Sequence, residues 1–233
     1  MSPPGRPKGE YRSAQRAGTP SSPPGRPKGE YRSARHEGTP VSAPRYDVAL
    51  RRLAPTARFD ARGKPEDLAA ALGTAGLPVP ERRNSSLAGA GQVRVDWLGP
   101  QRYVITAPLD QEDAVDSALE AAFAGFAGAD VTCSTDMVVT FELAGSGAAD
   151  VLAQGTPLDI SPAVLLPASV TGTELWGVGV IVERPAADPQ IFRVTVERAY
   201  AGYVDGWLRT AAGLPADIRP GVMIAPPGMA QPT

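Results

Sequence analysis

The sequence predicts an α+β fold of mainly antiparallel sheets with packed helices, behind a disordered N-terminal arm. Three observations lead there. Apolar and polar residues alternate over short runs joined by tight turns, single helical stretches separate those hairpins, and no strand–helix–strand series recurs as a doubly wound sheet would need. The chain has 233 residues, 42% of them hydrophobic and 21% charged, which suits one globular domain of ordinary size.

Residues 45–53 carry few apolar positions and are expected to form a short helical lead-in. Residues 57–61 (ARFDA) alternate as a strand does, and Gly63 ends it. Pro65 fits a first helical turn, where its missing N–H costs nothing, and Glu66 and Asp67 suit the positive end of the helix dipole. Leu68, Ala69, Ala71 and Leu72 carry that helix to Gly73 or Gly76, after which Pro78 and Pro80 force extended chain. Over 92–98, Val93, Val95 and Trp97 alternate with Gln92, Arg94 and Asp96; Gly99-Pro100-Gln101 turns, and 103–107 returns as the second strand of a hairpin. Asp110 is the expected N-cap of a helix over 111–126 whose Ala114, Val115, Ala118, Leu119, Ala122 and Phe123 share one face.

Strands are expected over 130–134 and 137–143, the second with Met137, Val139, Phe141 and Leu143 on its core face. Gly145-Ser146-Gly147 leads into a helix over 148–153. A hairpin about Gly177 joins strands 170–176 and 178–183, a strand follows over 191–196, and a helix over 200–212 closes the domain with Tyr203, Val204, Trp207 and Leu208 on its apolar face. The organisation is therefore an arm over 1–44, a folded domain over 45–213, and a Pro-rich flexible tail over 214–233.

The arm is a tandem repeat of residues 1–20 and 21–40, and SPPGRPKGEYRSA recurs unchanged at 2–14 and 22–34. Residues 1–40 hold eight Lys/Arg against three Glu, so the arm is net +5 and the remainder of this −2 chain is net −7. With almost no apolar side chain to bury, nothing offsets the entropy of ordering such a segment. Arg6, Lys8, Arg12 and Arg16 with Tyr11 have the chemistry to touch phosphates or an acidic partner. A solvated tail is the simpler reading, and the acidic body argues against nucleic acid as the partner of the folded domain.

Absences narrow the chemistry further. Cys133 is the sole cysteine and His36, within the arm, the sole histidine. An intrachain disulfide, a Cys-rich zinc site and a Ser-His-Asp arrangement in the body are all excluded. No membrane span is expected, and the polar N-terminus does not resemble a secretory leader, so the cytoplasm is the expected compartment. Gly145-Ser146-Gly147 between a strand and a helix resembles a dinucleotide loop, but Asp150 at its third position would oppose a pyrophosphate, and a tight turn suffices. Asp159 is expected to cap a turn, Cys133 to be buried and inert, Trp97 to lie in the core, and Trp207 to be the better interface anchor.

A series of these segments resembles the sarcosine oxidase gamma subunit family. It comprises VDWLGPQRYVITAP at 95–108, LAGSGAADVLAQGTPLDI at 143–160, the hairpin at 172–182 and RAYAGYVDGWL at 198–208, in order, within 57–213. Two places depart from the family pattern. Cys133-Ser134-Thr135-Asp136-Met137 stands where Asp-x-Ser-Asp-Arg is usual, and Ile160-Ser161 stands where a histidine is common. The first departure motivates the expectation that an arginine at 137 would be buried and unfavourable, and together they open another N-methyl amino acid as substrate.

The resemblance implies a fold like the folate-binding domain of aminomethyltransferases. It also implies a cofactor-free accessory subunit of heterotetrameric sarcosine oxidase, which oxidatively demethylates sarcosine to glycine with tetrahydrofolate as one-carbon acceptor. FAD, FMN, NAD and tetrahydrofolate would then belong to partner subunits, the partners being the alpha, beta and delta chains. No catalytic, cofactor-binding or metal-binding residue is assigned here. The rival readings are a stand-alone folate-dependent aminomethyl transferase, and a protein that binds nucleic acid or an acidic partner through its arm.

Overall fold

The structure is a computed structural model that describes residues 46–161, 163–185 and 190–215. The expected arm and most of the expected tail lie outside those residues. The chain enters through β1 (Ala49–Arg52) and then crosses to a separate sheet made of β2 (Ala57–Gly63), β3 (Ser86–Ala88), β4 (Arg94–Gly99), β5 (Arg102–Ala107) and β6 (Ala129–Cys133). It crosses back to lay β7 (Val138–Ala144), β8 (Ser169–Leu175), β9 (Val178–Arg184) and β10 (Ile191–Glu197) beside β1. The sheet orders are β3-β4-β5-β2-β6 and β1-β7-β10-β9-β8, every pairing antiparallel. This is the α+β, antiparallel architecture that the alternation predicts.

Each sheet buries one face under two helices. Phe59, Ala61, Val95, Tyr103 and Ile105 pack beneath α1 (Pro65–Thr74) and α2 (Glu112–Phe123), which contribute Leu68, Leu72, Leu119 and Phe123. Phe141, Leu143, Val182, Phe192 and Val194 pack beneath α3 (Ala148–Ala153) and α4 (Ala201–Ala212), which contribute Val151, Leu152, Val204 and Leu208. Full burial of a Leu or Phe side chain is worth about 1.5–3 kcal/mol, so these two cores hold the layers together. Period-2 alternation sends the intervening residues to the opposite faces, where the two sheets meet. There Val104 and Val170, both fully buried, belong to neither helix-covered core. The result is four layers, helix–sheet–sheet–helix. The sheets also join at one edge, through a bridge between Ser85 and Ser169 and the bond from Val170 N–H to Asn84 C=O at 3.0 Å.

Local details explain the boundaries. Gly145, at φ +134°, sits so close to the backbone oxygen of Asp47 that a Cβ would stand 2.4 Å from it, and Gly147 N–H donates to the same oxygen at 3.0 Å. The Gly-Ser-Gly segment is thus a tight turn clamped on the entering chain, as expected. Trp176 and Gly177 both take positive φ (48° and 79°), which closes the expected hairpin with a two-residue turn. Gly213, in the left-handed region, ends α4.

Several expectations are corrected. The lead-in over 45–53 contains strand β1, because pairing with β7 supplies hydrogen bonds that an isolated short helix would lack. Asp110 does not cap α2 with its side chain; a 3₁₀ turn, Leu109–Gln111, precedes a helix that ends at Phe123. Ala114 and Ala118 on its expected apolar face are exposed. Met137 is 63% exposed, since a 3₁₀ turn, Thr135–Met137, precedes β7 and lifts the side chain off the core face. Cys133 is exposed on the edge strand β6, its Sγ 3.1 Å from Glu112 Oε1. Strand β3 was not expected. No described helix is long and apolar enough to cross a membrane.

Candidate functional site

The polar faces of the two sheets meet in a seam of charges. Strand pairing sets Arg51 of β1 and Arg193 of β10 opposite Glu142 of β7, and sets Arg193 opposite Glu183 of β9. Arg51 donates to Glu142 at 2.6 Å and Arg193 to its other oxygen at 3.1 Å. From the second sheet, Arg94 of β4 reaches across to Glu183 at 2.6 Å and lies within 3.0 Å of Asp96. Six groups of alternating sign, from Arg51 through Glu142, Arg193, Glu183 and Arg94 to Asp96, therefore run through the protein and tie one sheet to the other. Nearby, Asp60 accepts from Arg102 at 2.6 Å and from Arg62 at 3.0 Å.

Burial and pairing compete at each group. Burial alone would raise the carboxyl pKa of Glu142 and Asp60, but the hydrogen bonds and charges of Arg51 and Arg193 on one, and of Arg62 and Arg102 on the other, hold both below the ordinary value. At Glu183 burial wins and pushes the carboxyl up despite Arg94. Burial opposes the charged form of Arg94, yet Asp96 and Glu183 raise its pKa. Arg58 of β2 differs: burial lowers it to about 10, and Asp96 only partly compensates.

Two cavities are lined by Arg58. A groove of about 570 Å³ runs between the sheets, lined by Arg58, Asp60, Arg62 and Arg102 on one side and by Glu174, Ile181 and Thr195 on the other. Met137 stands on its lip. Among the described residues its lining includes no aromatic side chain, so a planar pterin would find no ring to stack on there. A smaller pocket of about 120 Å³ lies where the chain crosses between sheets. Among the described residues no cluster of His, Cys, Asp and Glu could hold a metal ion.

The residues singled out from sequence fall elsewhere. Asp159 caps its turn as expected, accepting from Ser161 N–H at 2.9 Å, and Ile160 beside it belongs to the core. Trp97 packs against its expected core and stacks on Tyr103 with centroids 5.6 Å apart. Trp207, 39% exposed, stacks on Trp176 at 5.9 Å and meets the edge of Tyr203. The seam itself was missed. Its signal was present as charges set into apolar strands, Glu142 in VVTFELA and Glu183 in VGVIVER, but alternation alone assigns such positions to solvent.

The family described as "Sarcosine oxidase, gamma subunit family" matches residues 60–213, well over half of the chain. The chain belongs to the sarcosine oxidase gamma subunit family. The heterotetrameric sarcosine oxidase from Corynebacterium sp. U-96, solved in complex with pyrrole 2-carboxylate, contains a chain that aligns with a TM-score of 0.64. Identity is 24%, over 71% of this gamma-family chain and 83% of that one. The glycine cleavage system aminomethyltransferase T from Bartonella henselae aligns with a TM-score of 0.57 at 19% identity, over 74% of this chain and 48% of its own length. The expected aminomethyltransferase-like fold is therefore present. Comparison with curated protein sequences gives no match.

Proposed function

We propose that this gamma-family chain is a cofactor-free accessory subunit of a heterotetrameric sarcosine oxidase or a related N-methyl amino acid oxidase. The observation that carries the reading is the family match over residues 60–213, extended by a fold that spans 83% of a chain of such an enzyme. The assembly would act in the cytoplasm and demethylate sarcosine oxidatively to glycine, with tetrahydrofolate accepting the one-carbon unit. FAD, FMN, NAD and tetrahydrofolate would reside in the alpha, beta and delta partners. The chemistry of the seam supports this role, because its carboxylates are engaged by arginines rather than free to act as acid or base. Support also comes from the exposed face of α4, where Tyr203 (48% exposed) and Trp207 offer aromatic anchors of the kind that dominate subunit contacts.

Co-expression with the flavin- and folate-bearing chains tests the proposal. A stable yellow complex that makes hydrogen peroxide from sarcosine is expected, and omission of this chain should lower its yield or stability. Full activity without this chain, or a stoichiometric flavin on the purified single chain, would refute it.

A further inference from the structure

Arg58 is only 6% exposed, and its guanidinium has no hydrogen-bond or ion-pair partner among the described residues. Its backbone, by contrast, is firmly held. Arg58 N–H donates to Thr135 Oγ1 at 2.9 Å and its carbonyl accepts from Ser134 N–H at 2.7 Å. Asp96 and Asp60 favour its charge only from a distance, and a buried cation with no group bonded to it costs free energy that a bound anion would offset. Arg58 lines both cavities, and they differ in charge. The groove sets Asp60, Glu174 and Glu197 against its arginines.

The smaller pocket has no acid in its lining. Arg52, Arg58 and Arg198 line it together with the hydroxyl-bearing Thr56, Thr135 and Thr140. The two chain crossovers between the sheets form its walls, fastened by Leu53 N–H to Thr140 C=O at 2.9 Å and by the Arg58 bonds to Ser134 and Thr135. Arg198 is anchored by Asp136, whose carbonyl takes its Nε–H at 2.5 Å and whose exposed carboxylate lies 3.4 Å from Nη2. Arg52 is exposed and has no charged partner among the described residues. Three arginines line a cavity of about 120 Å³, which has space for one compact ion and none for a nucleotide.

From this geometry we infer that the pocket between the crossovers is a binding site for a small oxyanion, with Arg58 as its buried anchor. Guanidinium groups match the oxygen spacing of carboxylate and phosphate, so either chemistry would satisfy Arg58, and the hydroxyls would complete the shell. The ion would sit across the point where the chain passes between layers and would pin both crossovers together. The inference is independent of the subunit reading above.

Calorimetric titration of the full-length chain with inorganic phosphate, and separately with acetate, tests it at constant ionic strength maintained with sodium chloride. Saturable binding of at least one ion is expected, and the two arms distinguish phosphate from carboxylate chemistry. Arg58→Met should weaken binding at least tenfold and abolish the rise of Tm with that ion, while Arg83→Gln, the same charge change outside the pocket, should alter neither. Should Arg58→Met not fold, Arg52→Gln provides the reading, with binding expected to weaken several-fold. Absence of saturable binding by both ions, or equal loss in Arg83→Gln, overturns the site.

Discussion

Arg94→Met cuts the seam at its only tie between the sheets made by paired charges among the described residues, and its cost follows from the structure. Arg94 is 23% exposed in its side chain, whereas the carboxylates it serves, Asp96 and Glu183, are 3% and 9% exposed. Among the described residues, removing the guanidinium leaves Asp96 without any cation in contact, while Glu183 keeps only Arg193 at 3.4 Å. Breaking a buried pair from one side typically costs about 3–5 kcal/mol, because the remaining charge is stranded. With a urea slope of about 2 kcal/mol per M, the midpoint should fall by about 2 M. Adding Asp96→Asn and Glu183→Gln to the same chain should recover much of that loss, since no uncompensated charge then remains. The assay is urea unfolding followed by far-UV circular dichroism. A midpoint for Arg94→Met within about 0.3 M of wild type, a shift under about 1 kcal/mol at that slope, would refute the reasoning and mean that water, not Arg94, solvates these carboxylates.

Three further outcomes follow from particular contacts. Met137→Arg should change stability by no more than about 0.5 kcal/mol, measured by urea midpoint, because the side chain is exposed and a guanidinium there stays hydrated. Gly145→Ala should destabilise by about 1–3 kcal/mol in the same assay, since its φ of +134° and the Asp47 oxygen both oppose a Cβ. The pH dependence has two opposed parts. Glu183 has a raised folded pKa, so its contribution is full below its ordinary 4.5 and is lost as pH rises through the folded value; Glu183→Gln should abolish the gain seen on mild acidification. Asp60 and Glu142 have depressed folded values, so their contribution is full above their ordinary 3.8 and 4.5 and is lost as pH falls through the folded values, which urea midpoints taken across that range would register as a decline.

Much of this protein was decided along the chain itself. Alternation located eight of the ten strands, since one apolar face per strand must meet a core, and glycine positions set the turns at 145–147 and 177 through φ values that other residues resist. Helical spacing located all four helices, and the ordered series of segments pointed to the family. Tertiary structure alone decided what the other face of each strand meets. A charge at every second position has the same pattern whether it faces water or a second sheet, so Glu142, Glu183, Arg94 and Arg58 looked like solvent-facing residues until the layers closed. The same limit misplaced Met137 and Cys133, whose exposure depends on a 3₁₀ turn and on an edge position set by partners distant in sequence. Local periodicity records which residues share a face; only the packing of one sheet on the other determines whether that face is wet.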